Sequence, residues 1–247
     1  MSADRFALWP AIDLKGGHCV RLLHGDMDQS KTYADNPAAQ ARAFEAAGFK
    51  HLHVVDLDGA FAGRPENADA VEAILKETGA TVELGGGIRS LDIAERWLNL
   101  GVARVILGTA AVKDPDFVAA ALEAFPGRIV LGIDAKDGFV ATDGWGEAST
   151  LSAETVINRY DTGKVAAFVY TDISRDGALT GPNVPATAAL AKAVPVPVLA
   201  SGGIAQVSDL EALSAYRADG VVGAILGRSL YEGTIDPAEA LALEGVE

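Results

Sequence analysis

The amino-acid sequence predicts an α/β protein folded as a (β/α)8 TIM barrel built from two similar half-barrels. Three observations carry that expectation. Short apolar, β-branched runs alternate with longer helix-period segments along the whole chain, eight of each. A length of 247 residues suits a strand-helix barrel that forms one domain. The chain also repeats its own motifs at a distance close to half its length.

The strands read as Ala7–Ile12, His51–Asp56, Thr81–Leu84, Arg104–Leu107, Ile129–Asp134, Ala166–Tyr170, Val196–Ala200 and Gly220–Leu226. Helical patterns lie between and after them, near Pro37–Ala47, Ala68–Lys76, Leu91–Leu100, Asp116–Phe125, Ser152–Tyr160, Val184–Ala193, Val207–Ser214 and Pro237–Leu243. Several begin after an Asn, Ser or Asp cap or carry Pro in the first turn, where a missing amide hydrogen costs nothing. The polar segment from Lys15 to Asn36 is long for a connection, and the reading is a lid over a site.

Four landmarks recur in the same order. Ile12-Asp13-Leu14-Lys15 returns as Ile133-Asp134-Ala135-Lys136, 121 positions on. Val55-Asp56-Leu57 returns as Thr171-Asp172-Ile173, and Gly85-Gly86-Gly87-Ile88 as Ser201-Gly202-Gly203-Ile204, both 116 on. Ile106-Leu107-Gly108-Thr109 returns as Ile225-Leu226-Gly227-Arg228, 119 on. A doubly wound open sheet does not account for a repeat of four units, whereas two half-barrels do. No Pro/Gly/Ser-rich linker interrupts the chain near residue 125, so residues 1–247 are expected to form one domain, with halves of roughly 1–125 and 126–247.

Composition narrows the function. With 34 acidic against 20 basic residues the net charge is −14, which repels a nucleic-acid backbone and an anionic membrane surface. No 18-residue uncharged apolar run is present, and the start of the chain lacks an apolar targeting stretch, so a cytoplasmic protein is expected. A single cysteine, Cys19, excludes an intramolecular disulfide and a cysteine-cluster metal site. A small phosphorylated substrate remains compatible with the charge, because backbone amides at helix starts bind phosphate locally. Nothing in the pattern marks a large apolar outer face, and the oligomeric state is not legible in it.

In such a barrel the site lies at the carboxyl ends of the strands, where every repeated landmark falls. Asp13 and Asp134 end strands one and five, on opposite sides of the mouth, so a substrate lying across it meets a carboxyl group on each face, one to give and one to take a proton. Lys15 and Lys136 follow each Asp, either to tune it or as solvated loop residues. Gly86 and Gly87 follow strand three and Gly202 and Gly203 strand seven, while Gly108-Thr109 and Gly227-Arg228 follow strands four and eight. Loops seven and eight are the recurrent phosphate site of this fold, and here loops three and four duplicate it. Two cradles imply a ligand with a phosphate at each end. Arg21 and Arg89 are candidates to reach phosphate, and Gly181 joins the candidate binding glycines. Thr171 and Asp176 lie after strand six, as candidates to orient the substrate. Asp56 and Asp172 occupy equivalent positions, as substrate groups or as acceptors for loop amides. His53 is either a packed core histidine or a ligand. Trp145, between Gly144 and Gly146, suits stacking on a planar base when its loop closes.

Ala11-Ile12-Asp13-Leu14-Lys15-Gly16-Gly17, Val55-Asp56-Leu57-Asp58, Gly85-Gly86-Gly87-Ile88-Arg89, Thr171-Asp172-Ile173-Ser174-Arg175-Asp176-Gly177 and Ala200-Ser201-Gly202-Gly203-Ile204 closely resemble the motifs of the HisA family of histidine-biosynthesis isomerases. The resemblance covers essentially the whole chain. It implies the conversion of the aminoaldose ProFAR to the aminoketose PRFAR, an Amadori rearrangement of a bisphosphorylated substrate. It also implies a monomer, with Asp13 as general base, Asp134 as general acid, Thr171 orienting Asp134, and Asp176 as a further carboxylate beside the sugar. No metal or organic cofactor is expected, since the imine nitrogen is already an electron sink. Three alternatives share the fold: the related HisF-type cyclase, a bifunctional isomerase that also takes phosphoribosyl anthranilate, and a non-enzymatic phosphate-metabolite sensor. The bifunctional pattern calls for an arginine two residues before Trp145, where this chain has Asp143.

Overall fold

A computed structural model of the chain describes residues 6–23, 26–136, 138–142 and 147–245. Twelve strands form one sheet: β1 Ala7–Lys15, β2 His18–Leu23, β3 Asp26–Ala34, β4 His51–Asp56, β5 Thr81–Gly85, β6 Arg104–Leu107, β7 Ile129–Lys136, β8 Phe139–Thr142, β9 Glu147–Ser152, β10 Val165–Asp172, β11 Val198–Ser201 and β12 Val221–Leu226. Eight of them, β1, β4, β5, β6, β7, β10, β11 and β12, pair in parallel in that order, and β12 closes back on β1. The barrel expected from the sequence is the barrel observed.

The helices follow from their caps. The Asn36 side chain accepts from the Ala39 amide ahead of Pro37–Ala47, and Ser90 and Asp114 cap Leu91–Leu100 and Pro115–Ala124 in the same way. Side chains alternate along the strands, so Leu8, Ile12 and Leu14 of β1 point outward into the layer shared with the helices. Ala7, Trp9 and Ala11 point inward, into a second cluster with Val130, Val169 and Leu199 that fills the barrel. Each fully buried Leu, Ile or Phe of these layers contributes about 1.5–3 kcal/mol. Among the described residues no helix is long and apolar enough to cross a membrane.

One expectation changes. The segment after strand one, expected as a long loop, is regular: β2 and β3 form an antiparallel hairpin that continues β1 through the two-residue Gly16-Gly17 turn. The other half has its own, since β7 turns back into β8 with Lys136 opposite Phe139, and β9 pairs with β8. The half-chain repeat therefore extends to a hairpin rising from β1 and another from β7. The helix expected at Ser152–Tyr160 is shorter, Ala153–Ile157, and the last one stops at Leu241 before a 3-10 turn.

Candidate active site

A cavity of about 250 Å³ opens at the carboxyl ends of the barrel strands. Asp13 and Asp134 both line it, and the strands that carry them, β1 and β7, stand half a turn of the barrel apart. Thr171 lies directly beside Asp134 in the β10–β7 register, and Asp176 reaches the same cavity from the turn after β10. The four residues singled out for acid–base work thus surround one space.

Arg21 enters from the β2 hairpin. Its Nη1 donates to Asp13 Oδ2 at 2.7 Å, with both side chains largely shielded from solvent. Burial would lower its pKa, but the carboxylates of Asp13 and Asp176 outweigh that and hold the guanidinium above its ordinary value. The guanidinium packs so closely on the end of β12 that a Cβ at Gly227 would lie 1.6 Å from Arg21 Nη2. Gly227→Ala is accordingly expected to fold, because the side chain it meets is flexible. It should displace Arg21 from Asp13 and lower kcat/KM by about tenfold with under 1 kcal/mol of lost stability, read by paired kinetics and urea unfolding.

The glycine loops form two cradles. Gly86, Gly87, Arg89, Gly108 and Thr109 line one end of the main cavity. Gly202, Gly203, Gly227 and Arg228 line a smaller hollow of about 20 Å³ that shares Arg21, Asp176 and Ser201 with it. The structure adds a reason for glycine itself. Gly86 has φ +100 and a Cβ there would meet the Asp56 carbonyl oxygen at 2.1 Å; Gly202, its repeat partner, has φ +89 and would meet the Asp172 carbonyl oxygen at 2.8 Å. These positions let the loop press on the neighbouring strand end, and only glycine fits both the conformation and the space. Gly181 lines neither hollow. Its amide donates to the Gly203 carbonyl at 2.9 Å, so it props the cradle from behind.

Asp56 and Asp172 are acceptors for loop groups. Asp56 takes the amides of Gly59, Glu66 and Asn67 and the Asn67 side chain, and Asp172 takes the Ser174 amide and hydroxyl and the Asn183 side chain. Asn67 and Asn183 each follow their aspartate by eleven residues, a further repeat visible in the sequence. Arg89 donates to the Ala60 carbonyl and Arg228 to the Gly177 carbonyl, so both are braced by loops next to their cradles. Trp145 lies outside the described residues.

Three lining residues escaped sequence reasoning or were left open by it. Ser201 borders both hollows and stands opposite Thr171 in the β10–β11 register; its place in the repeat was the available signal. Phe61, half exposed on the short helix Leu57–Ala62, forms an apolar lip with no pattern to announce it. His53 lines the cavity and is also paired, its Nδ1 lying 2.7 Å from Glu83 Oε1.

Comparison with known proteins agrees with this layout. The family model described as "Histidine biosynthesis protein" matches residues 7–236. A relative from Beijerinckia indica is 60% identical over 236 residues, covering 96% of this chain and 98% of its own. Others from Rhodopseudomonas palustris and Parvibaculum lavamentivorans are 57% and 56% identical, each over 96% of this chain and 97% of theirs. All three are named 1-(5-phosphoribosyl)-5-((5-phosphoribosylamino)methylideneamino) imidazole-4-carboxamide isomerase. With the fold, both cradles and the paired aspartates in place over the matched length, the chain belongs to the histidine biosynthesis protein family.

Proposed function

We propose that this protein is the aldose–ketose isomerase for which its relatives are named, converting ProFAR to PRFAR by an Amadori rearrangement. The observation that carries the reading is the pair Asp13 and Asp134 facing each other across a cavity with a glycine cradle toward each end. The substrate spans the mouth with one phosphate in the Gly86–Thr109 cradle and the other in the Gly202–Arg228 cradle, where backbone amides and Arg89, Arg21 or Arg228 meet its charge. Binding energy from the two phosphates then holds the sugar between the aspartates, which converts proton transfer into a positioned, intramolecular event.

Asp134, steadied by Thr171, protonates the ribose ring oxygen, and the ring opens to a protonated imine. Asp13 removes the proton from the adjacent carbon, giving an enolamine that tautomerises to the ketose. Asp176 balances the charge of Arg21 and faces the sugar. The imine nitrogen accepts the electron pair, so the chemistry calls for no metal or organic cofactor. The two aspartates need opposite protonation states in this scheme; Asp13 is paired with Arg21, and Thr171 is the register neighbour of Asp134. Trp145 is assigned to stacking on the imidazole carboxamide.

The test is turnover of ProFAR by the purified protein, with product consumed by a cyclase and glutaminase that accept only PRFAR. Consumption of product at an enzyme-dependent rate is the expected result. Saturable, phosphate-competed binding without turnover would replace the isomerase by a cyclase or a sensor.

A further inference from the structure

We propose that His53, fixed by the buried Glu83–Arg104 pair, takes up the hydroxyl proton when the enolamine collapses to the ketone; this rests on the isomerase reading above. The proton inventory calls for such a group. After Asp134 has protonated the ring oxygen and Asp13 has taken the carbon-bound proton, the enolamine must gain a proton on the carbon bearing nitrogen and lose one from the neighbouring hydroxyl. Asp13 returns its proton to that carbon. Being protonated until it does so, it is no acceptor for the hydroxyl. Asp134 stands half a turn of the barrel away, whereas His53 is on β4, the strand paired with β1, with His53 opposite Ala11 and Val55 opposite Asp13.

The geometry sets the state of the ring. His53, Glu83 and Arg104 sit side by side in the β4–β5–β6 register and form one layer across the barrel floor. Glu83 is fully buried; its Oε2 accepts from Arg104 Nη2 at 2.8 Å and its Oε1 faces His53 Nδ1 at 2.7 Å. Arginine stays charged, so the carboxylate beside it is ionised and can only accept. Nδ1 of His53 must then carry hydrogen, which leaves Nε2 as the lone-pair nitrogen of a ring that borders the cavity. Among the described residues no hydrogen bond engages Nε2.

The step balances. The O–H bonding pair becomes the second bond of the carbonyl, the C=C pair takes the Asp13 proton, and the hydroxyl proton ends on Nε2. The imidazolium formed is stabilised by Glu83, as an oriented carboxylate stabilises any histidine acting as base. On product release solvent carries that proton to Asp134, and every group regains its starting form. Glu83 is a positioning residue in this scheme, acting through His53.

The experiment compares two rates in D2O, ketose formation and entry of deuterium at the carbon that Asp13 deprotonates, measured in recovered aldose. His53→Gln should lower ketose formation by about 10²-fold or more while exchange persists, because the enolamine still forms and returns. Glu83→Gln should cost about 10- to 100-fold in kcat with KM unchanged, and should add nothing to His53→Gln. If Glu83→Gln does not fold, His53→Gln decides alone. A kcat for His53→Gln within threefold of the parent overturns the proposal, as does a parallel loss of exchange and product. Absence of turnover in the unaltered protein would overturn the isomerase reading instead.

Discussion

Replacing Asp13 by Asn is expected to lower kcat by about 10²–10⁴-fold while leaving ProFAR affinity within a few-fold of the parent. The two halves of that expectation have separate causes. Asn has the size of Asp and still offers Arg21 an oxygen at the place where Asp13 Oδ2 accepts at 2.7 Å, so the hairpin that carries Arg21 keeps its anchor. On the proposed reading the phosphates supply the affinity through the two cradles, which share no backbone with residue 13. What is lost is the capacity to hold a proton. An interaction used only in the transition state appears in kcat and kcat/KM together and leaves binding alone. Single-turnover kinetics beside equilibrium binding of ProFAR separate the two, and a near-normal kcat would remove Asp13 from the mechanism.

The fold was legible because its signals are local and repeated. Apolar runs rich in β-branched residues, such as Ile129-Val130-Leu131, read as strands, and Asn36-Pro37 and Asp114-Pro115 announce helix starts. The hairpins were less legible. Gly16-Gly17 is a two-residue turn signal, yet neither flanking strand carries a regular apolar alternation: β2 is held by pairing with β1, and β3 by pairing with β2. Asp13 and Asp134 were legible as a site because the repeat places them at equivalent strand ends. The Arg21–Asp13 contact was not, since it depends on a hairpin whose register brings Val20 opposite Asp13 and turns the next residue inward. His53, Glu83 and Arg104 sit on three separate strands, and only the lateral register of the barrel joins them.

The same register explains why a polar layer is tolerated beneath the cavity. Trp9 stacks on His51 with ring centres 4.4 Å apart, and the Arg104 guanidinium lies 4.5 Å from the Trp9 centroid, so the charge of the Glu83 pair is flanked by aromatic faces. Burial lowers the pKa of both His51 and Arg104, and Arg104 presses His51 further toward its neutral form. Breaking such a pair costs far more than it gains in stability when intact, so stability alone gives little reason for it, and its place on the cavity floor suits the role proposed for Glu83 beside His53.

The largest stability effect is expected at Asp56, which no substrate need touch. Its two carboxylate oxygens accept four hydrogen bonds at 2.7–2.9 Å, from the Gly59, Glu66 and Asn67 amides and from Asn67 Nδ2, at a residue only 2% exposed. Asp56→Ala orphans the Gly59, Glu66 and Asn67 amides at once, leaves Asn67 Nδ2 with Asp58 alone, and removes the cap of helix Leu57–Ala62, for an expected loss of about 3–5 kcal/mol. Asp172 is the repeat partner, but it accepts from one amide, one hydroxyl and one side-chain amide and is 8% exposed, so Asp172→Ala should cost less, about 2–3 kcal/mol. The asymmetry reaches the site as well. Asn67, positioned by Asp56, accepts from the Gly17 amide at 2.7 Å, and Asp58 accepts from Gly16, so the loop after β4 supports the turn from which the Arg21 hairpin rises. Loss of Asp56 should therefore loosen Arg21 on Asp13 and lower kcat/KM at temperatures where the variant is still folded. Urea midpoints for the two alanine variants, with ProFAR turnover below each transition, test the order; equal losses would mean that the four bonds of Asp56 contribute no more than the three of Asp172.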